Sequence, residues 1–100
     1  MLKHIVMWKL KEHAEGRTKA ENAKMMKEML EGLKGKITEI EHIEVGMNLI
    51  PSEAAFDVVL YSKFKDEKAL ITYQKHPEHV KVAQIVGKIK EERFVVDYVI

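Results

Sequence analysis

The sequence predicts an α+β domain built on a four-stranded antiparallel sheet with helices on one face. Three observations predict it. Residues 2–10 and 56–64 are apolar on both faces at their middles, the mark of central strands covered on two sides. Residues 39–49 and 93–100 alternate in the manner of strands that flank such a pair. The intervening stretches carry apolar residues at helical spacing, so the element order is β-α-β-β-(αα)-β.

In the first strand the even positions are Leu2, His4, Val6, Trp8 and Leu10, and the odd positions Ile5 and Met7 are apolar as well. Gly16 breaks the pattern before Thr18 and Glu21, a capping box whose hydroxyl and carboxylate satisfy orphan amides at a helix start. Ala23, Met26, Leu30 and Leu33 follow on one helical face, widened by Met25 and Met29, with Gly35 as a stop. These methionines are read as packing, because a flexible thioether fills irregular gaps where a helix meets a sheet.

The second strand sets Ile43, Val45, Met47 and Leu49 against His42, Glu44 and Asn48, which gives it one wet face or an edge position. After the turn at Pro51, Phe56, Val58, Leu60 and Phe64 share one face of the third strand, and Val59 and Tyr61 the other. Asp66 caps a helix carrying Ala69, Leu70 and Tyr73. That helix must end before Pro77, because a proline pushes the preceding residue out of the helical region. A new helix starts there with Val80, Ala83 and Val86 or Gly87 on its apolar side. Phe94, Val96, Tyr98 and Ile100 oppose Val95, Asp97 and Val99 in the last strand.

This order fits the ferredoxin-like split βαβ pattern, with the first and third strands in the middle and the fourth beside the first. The helices then cover one face of the sheet, and Ile5, Met7, Val59 and Tyr61, or their even-numbered opposites, face outward. An open apolar sheet face is a partner site, and a second copy of the chain is the expected partner. The expected assembly is a homodimer with two sheets packed face to face.

The composition narrows the function. One hundred residues are read as a single domain spanning 1–100. Seventeen basic and sixteen acidic residues interleave to a net charge of +1, which argues against nucleic-acid binding, since phosphate affinity needs a concentrated basic stripe. The absence of cysteine excludes disulfides, thiolate metal sites and cysteine nucleophiles, and points to the cytoplasm. The apolar run 5–8 is flanked by Lys3 and Lys9, too short for a membrane span, so no membrane partner is expected. His76 and His79 are three residues apart, but no third ligand joins them, so no metal is expected. His13 and His42 are read as solvent residues.

The chemistry concentrates at residues 73–79, Tyr-Gln-Lys-His-Pro-Glu-His. If His76 caps the last helix, His79 lies in its first turn, where the positive end of the helix dipole disfavours the imidazolium. A neutral imidazole there can accept a proton near pH 7. Tyr73 precedes the break and can fold back toward the same place. In the predicted topology Asp97 approaches His4, so this carboxylate can orient either His4 or His79. Tyr73, His79, His4 and Asp97 form the candidate catalytic cluster, and His76 and Trp8 the candidate substrate contacts. A structural alternative exists for each: His76, Pro77 and Glu78 also describe a helix cap, its first residue and an acid near the dipole.

These residues resemble the stress-responsive A/B barrel, or Dabb, family of dimeric α+β barrels. The resemblance covers essentially the whole chain. It rests on the 2–10 strand, on Glu44-Val45-Gly46-Met47-Asn48, on Asp57-Val58-Val59-Leu60-Tyr61-Ser62-Lys63-Phe64, most specifically on Tyr73-Gln74-Lys75-His76-Pro77-Glu78-His79-Val80, and on Asp97-Tyr98. It implies a homodimer. It also implies similarity to the plant polyketide cyclase of this family that makes olivetolic acid without a cofactor. On that likeness His79 is the base, Tyr73 hydrogen-bonds the carbonyl oxygen as charge develops, Asp97 holds His79 in its useful tautomer, and His4 matches the strand-one histidine. The implied activity is cofactor-free acid/base chemistry on a small carbonyl or aromatic compound bound near Tyr73 and His79. Two other readings are a non-catalytic stress or assembly protein, and a cofactor-free monooxygenase by analogy with other dimeric α+β barrels.

Overall fold

A computed structural model describes residues 1–100. Strand β1 (Leu2–Leu10) leads into a short hairpin, β2 (His13–Ala14) and β3 (Arg17–Thr18), and then into helix α1 (Lys19–Gly32). A single 3₁₀ turn, Leu33–Gly35, ends that helix. Strands β4 (Ile40–Met47) and β5 (Val58–Phe64), helices α2 (Glu67–Lys75) and α3 (Pro77–Ile89), and strand β6 (Lys90–Val99) complete the chain. The main sheet is ordered β4-β5-β1-β6, and every pairing within it is antiparallel. This is the ferredoxin-like arrangement expected, with β1 and β5 in the middle.

The pleat of β1 sorts the two faces. Leu2, His4, Val6, Trp8 and Leu10 are all buried against the helices, together with Val58, Leu60, Ser62 and Phe64 of β5. The core forms between these side chains and Ala23, Met26, Leu30, Leu70, Tyr73, Val82, Val86 and Ile89 from the three helices. The other sheet face is left open: Met7, Val59, Phe94, Val96 and Tyr98 are exposed on it, and Ile5 and Tyr61 half-buried.

Helix α1 starts at the expected capping box, with Thr18 Oγ1 accepting from the Glu21 amide at 3.3 Å and Glu21 Oε1 accepting from the Thr18 amide at 2.9 Å. It also finishes the edge of the sheet. Lys27 Nζ donates to the Val45 carbonyl at 2.6 Å, and Glu31 Oε2 accepts from the Val45 amide at 3.0 Å, so side chains satisfy the backbone groups that edge strand β4 turns away from β5.

Four details differ from the sequence reading. The β2–β3 hairpin is not signalled, because its turn is Glu15-Gly16 rather than an asparagine or aspartate followed by glycine. Both turn residues nonetheless have positive φ, 52° and 75°, the conformation of a type I′ turn. Buried Asn22 clamps the hairpin to α1, donating to Ala14 O at 3.1 Å and accepting from Arg17 Nε at 2.8 Å. Strand β4 stops at Met47, so Leu49 lies beyond it and both residues are exposed; Phe56 likewise precedes β5. Strand β6 begins at Lys90 directly from the end of α3, three residues before the expected Arg93. Helix α3 buries Val82, Val86 and Ile89 and leaves Val80 exposed. With apolar residues around much of its circumference, α3 has its rotation set by packing rather than by its own pattern.

Candidate functional site

The two short helices meet at His76, which leaves the helical region with φ −62° and ψ 135° and ends α2 while starting α3. The His76 amide donates to Tyr73 O at 3.2 Å, and its Nδ1 accepts from the Glu78 amide at 3.1 Å. Pro77 then occupies the first helical position, where its missing N–H has no partner to lose. This bend folds Tyr73 and His79 onto each other, with ring centroids 4.5 Å apart at 53°. Asp66 holds the other end of α2, its Oδ1 accepting from the Ala69 amide at 2.9 Å, which fixes the rotation that turns Leu70 and Tyr73 inward.

Tyr73 is fully buried among Phe64, at 4.8 Å between centroids, His4, at 6.3 Å, and His79. Its hydroxyl has no hydrogen-bond partner within the chain. Burial pushes its pKa up to about 12, against a smaller opposing pull from the Arg93 charge. It is therefore a neutral donor at any physiological pH. Trp8 Nε1 is a second buried donor without a partner.

His79 Nδ1 lies 3.0 Å from the Gln74 carbonyl. A carbonyl only accepts, so the proton of the neutral ring sits on Nδ1 and the lone pair on Nε2. Burial lowers the His79 pKa; the Gln74 carbonyl opposes that shift, and the charges of His4 and Arg93 reinforce it. The neutral ring was expected from the helix dipole. In the structure desolvation leads the causes.

Asp97 belongs to His4. The two residues face each other across the β1–β6 register, and Asp97 Oδ1 accepts from Nδ1 of the buried His4 ring. This decides between the two partners left open by the sequence and corrects the assignment implied by the family likeness, since the tautomer of His79 is held by a backbone carbonyl. The reason is strand pairing: β6 is antiparallel to β1, which sets residue 97 against residue 4 on the helix face.

A cavity of about 230 Å³ opens between α3 and the β1–β6 half of the sheet, lined among others by His4, Trp8, Tyr73 and His79. Ala83 and Gly87 form its α3 wall one and two turns after His79, and a Cβ built on Gly87 would meet nothing within 4 Å. Their small size leaves the space open. Four of the six expected site residues therefore converge on one cavity. Asp97 stands behind His4, and His76 does not line the cavity at all, because its ring caps α3. Arg93 and Lys90 also line it and were missed. Only the register, which sets Arg93 opposite Trp8, places that arginine on the helix face.

A second, shallower cleft of about 670 Å³ lies between the start of α1 and the loop before β5. Its lysine, Lys19, is held by Glu12 at 3.0 Å and Asp57 at 3.5 Å, and the Glu12 contact leads the effects that raise the Lys19 pKa. No three His, Asp or Glu side chains converge anywhere as a metal-ligand set, and no helix is long and apolar enough to cross a membrane.

The model of the stress responsive A/B barrel domain, Dabb, matches residues 2–100. This chain belongs to the Dabb family. Solved structures agree on the fold. A dimeric protein of unknown function with a ferredoxin-like fold from Bacteroides fragilis is 37% identical with a TM-score of 0.85, the match covering 99% of this chain and 95% of that one. A Dabb protein from Mesorhizobium loti is 23% identical with a TM-score of 0.75, covering 99% and 95%. A hydroxynitrile lyase from Passiflora edulis is 17% identical with a TM-score of 0.80, covering 99% and 92%. The search of curated proteins finds no match.

Proposed function

We propose that this Dabb domain works as a homodimer and binds a small carbonyl or aromatic compound in the cavity under α3, where His79 and Tyr73 carry cofactor-free acid/base chemistry. The observation that carries this reading is the pair of buried, partnerless donors, Tyr73 O–H and Trp8 Nε1, on residues lining the same cavity as a neutral His79. A buried polar group without a partner costs about 1–3 kcal/mol, and a ligand oxygen removes that cost. A volume of about 230 Å³ is below the roughly 300–1,000 Å³ of drug-sized sites, so the ligand is small.

In the reaction His79 Nε2 takes the proton α to a carbonyl, and the electron pair of that C–H bond passes onto the carbonyl oxygen as an enolate. Tyr73, uncharged, donates to this oxygen as its charge grows. Asp97 and His4 act behind Tyr73 by fixing the sheet side of the cavity. The fold alone does not select a reaction, since one fold hosts many; the choice rests on these side chains. A non-catalytic assembly role predicts no ligand-sized space at this segment, and the cavity favours binding instead.

The test is exchange of the α-protons of a 1,3-dicarbonyl compound into deuterated water, followed by NMR. Wild type should accelerate exchange, His79→Ala should abolish the acceleration, and Ala83→Leu, which fills the cavity from an exposed helix position, should block binding of the same compound. Equal binding by wild type and a His79→Ala, Tyr73→Phe double variant would move the site elsewhere. Oxygen consumption with phenols would instead favour the monooxygenase reading.

The homodimer is supported by the dimeric Bacteroides fragilis relative and by the open apolar sheet face, where Phe94 is 58% and Val96 54% exposed. Sedimentation at micromolar concentration should give a dimer for wild type and a monomer for Val96→Glu. A wild-type monomer would rule the assembly out.

A further inference from the structure

The cavity wall is chemically one-sided. Its fixed charges are Arg93 and Lys90, both positive, and no aspartate or glutamate lines it. Two of its lining residues, Trp8 and Tyr73, carry buried groups without a partner, the Nε1–H and the hydroxyl, and both are able to donate. The rest is largely apolar, including Val6, Leu60, Val82 and Val86.

Arg93 is the distinctive member. It is exposed yet part of the lining, which places it at the rim, and it has no carboxylate within ion-pair distance. Two acids of its strand are otherwise disposed, Glu92 pairing with Lys9 at 3.4 Å and Asp97 with His4, and Glu91 is not within ion-pair distance of Arg93 either. The Arg93 charge is felt inside the cavity, pulling down the pKa values of both Tyr73 and His79. A guanidinium facing an apolar pocket without a protein counter-charge is arranged for a planar anion, which it can hold through two parallel hydrogen bonds.

We propose that the ligand is a small carboxylic acid, bound with its carboxylate on Arg93 at the rim and its apolar body and second oxygen directed toward Tyr73 and Trp8. The inference rests on the reading of this cavity as the ligand site and names the class of compound it takes. A phosphate ester fits less well. The flat guanidinium fork matches a planar carboxylate better than a tetrahedral phosphate, and the helix N-terminus that would favour a phosphate is already occupied, with His76 capping the Glu78 amide. Held by a group remote from the reacting carbon, the carboxylate supplies binding energy that positions the substrate under His79.

Matched probes separate the possibilities: 4-hydroxybenzoate, its neutral isostere 4-hydroxybenzamide, and phenyl phosphate, each titrated by calorimetry at low salt into wild type, Arg93→Gln, Arg93→Lys and Tyr73→Phe. Wild type should prefer the carboxylate over the amide by about tenfold or more, the scale of one charge-assisted bidentate contact. Arg93→Gln should bring that ratio close to one by weakening the carboxylate far more than the amide, and Arg93→Lys should restore part of it. Equal affinities in wild type, a ratio that survives Arg93→Gln, or tighter binding of phenyl phosphate would overturn the proposal. If carboxylate and amide bind equally and Tyr73→Phe weakens both, the anion inference fails and the ligand site stands. If no probe binds wild type, both fail together.

Discussion

His79 and Tyr73, six residues apart across a helix break, meet with tilted rings 4.5 Å apart, and the same break directs His79 Nδ1 onto the Gln74 carbonyl. One backbone device thus sets the distance between the candidate base and the candidate donor and chooses which nitrogen carries the lone pair. Burial then keeps the ring neutral.

The His79 ring should therefore titrate below its ordinary value of 6.5, as followed by NMR of its ring protons. Because the folded state resists protonation more than the unfolded chain, this residue contributes stability that is complete above the unfolded pKa. That stability is lost as the pH falls through the folded one. Thermal melts from neutral to acidic pH should show a steeper decline for wild type than for His79→Gln. A ring midpoint at or above 6.5 would contradict the desolvated placement.

Tyr73→Phe separates stability from function. The change removes a buried hydroxyl that has no partner, so the variant should be as stable as wild type or gain up to about 1–3 kcal/mol. Ligand affinity or turnover should nevertheless fall. Chemical denaturation alongside a binding titration reads both, and a large loss of stability would mean that the hydroxyl is satisfied after all.

The His4–Asp97 pair joins strands β1 and β6 on the helix side. Asp97→Ala strands the buried Nδ1–H of His4 and should cost about 1–3 kcal/mol, toward the lower end because the Asp97 side chain is 39% exposed. Asp97→Asn keeps an accepting oxygen and should cost less. Urea unfolding distinguishes the two; equal losses would show that charge, rather than acceptance of the proton, matters here.

His76→Ala removes a cap without touching the cavity. A loss of about 0.5–2 kcal/mol is expected, with ligand affinity unchanged provided the helix break persists. Ligand affinity that falls as steeply as in Tyr73→Phe would return His76 to the substrate contacts.

How far each feature could be read follows from the range of the interactions that set it. The Thr18–Glu21 capping box, the Asp66 cap and the break at His76–Pro77 act within a few residues, and all three form as expected. The apolar character of residues 2–10 on both faces marks a central strand, and β1 is central. Helix α3 forms from Pro77 with Val86 buried as expected, but its apolar residues surround it, so nothing local says whether Val80 or Val82 turns inward. The β2–β3 hairpin escaped because Glu15 adopts a positive φ only in the company of Gly16 and the Asn22 clamp.

The sequence by itself determined the order of the main elements, the two central strands and the helix break at His76–Pro77, since periodicity and proline stereochemistry are local. Tertiary structure alone decided who partners whom. The β1–β6 register gives Asp97 to His4 rather than to His79 and sets Arg93 beside Trp8, and the rotation of α3 places Ala83 and Gly87 where a cavity remains. Those outcomes depend on side chains distant along the chain meeting across a pairing, which no window of residues contains.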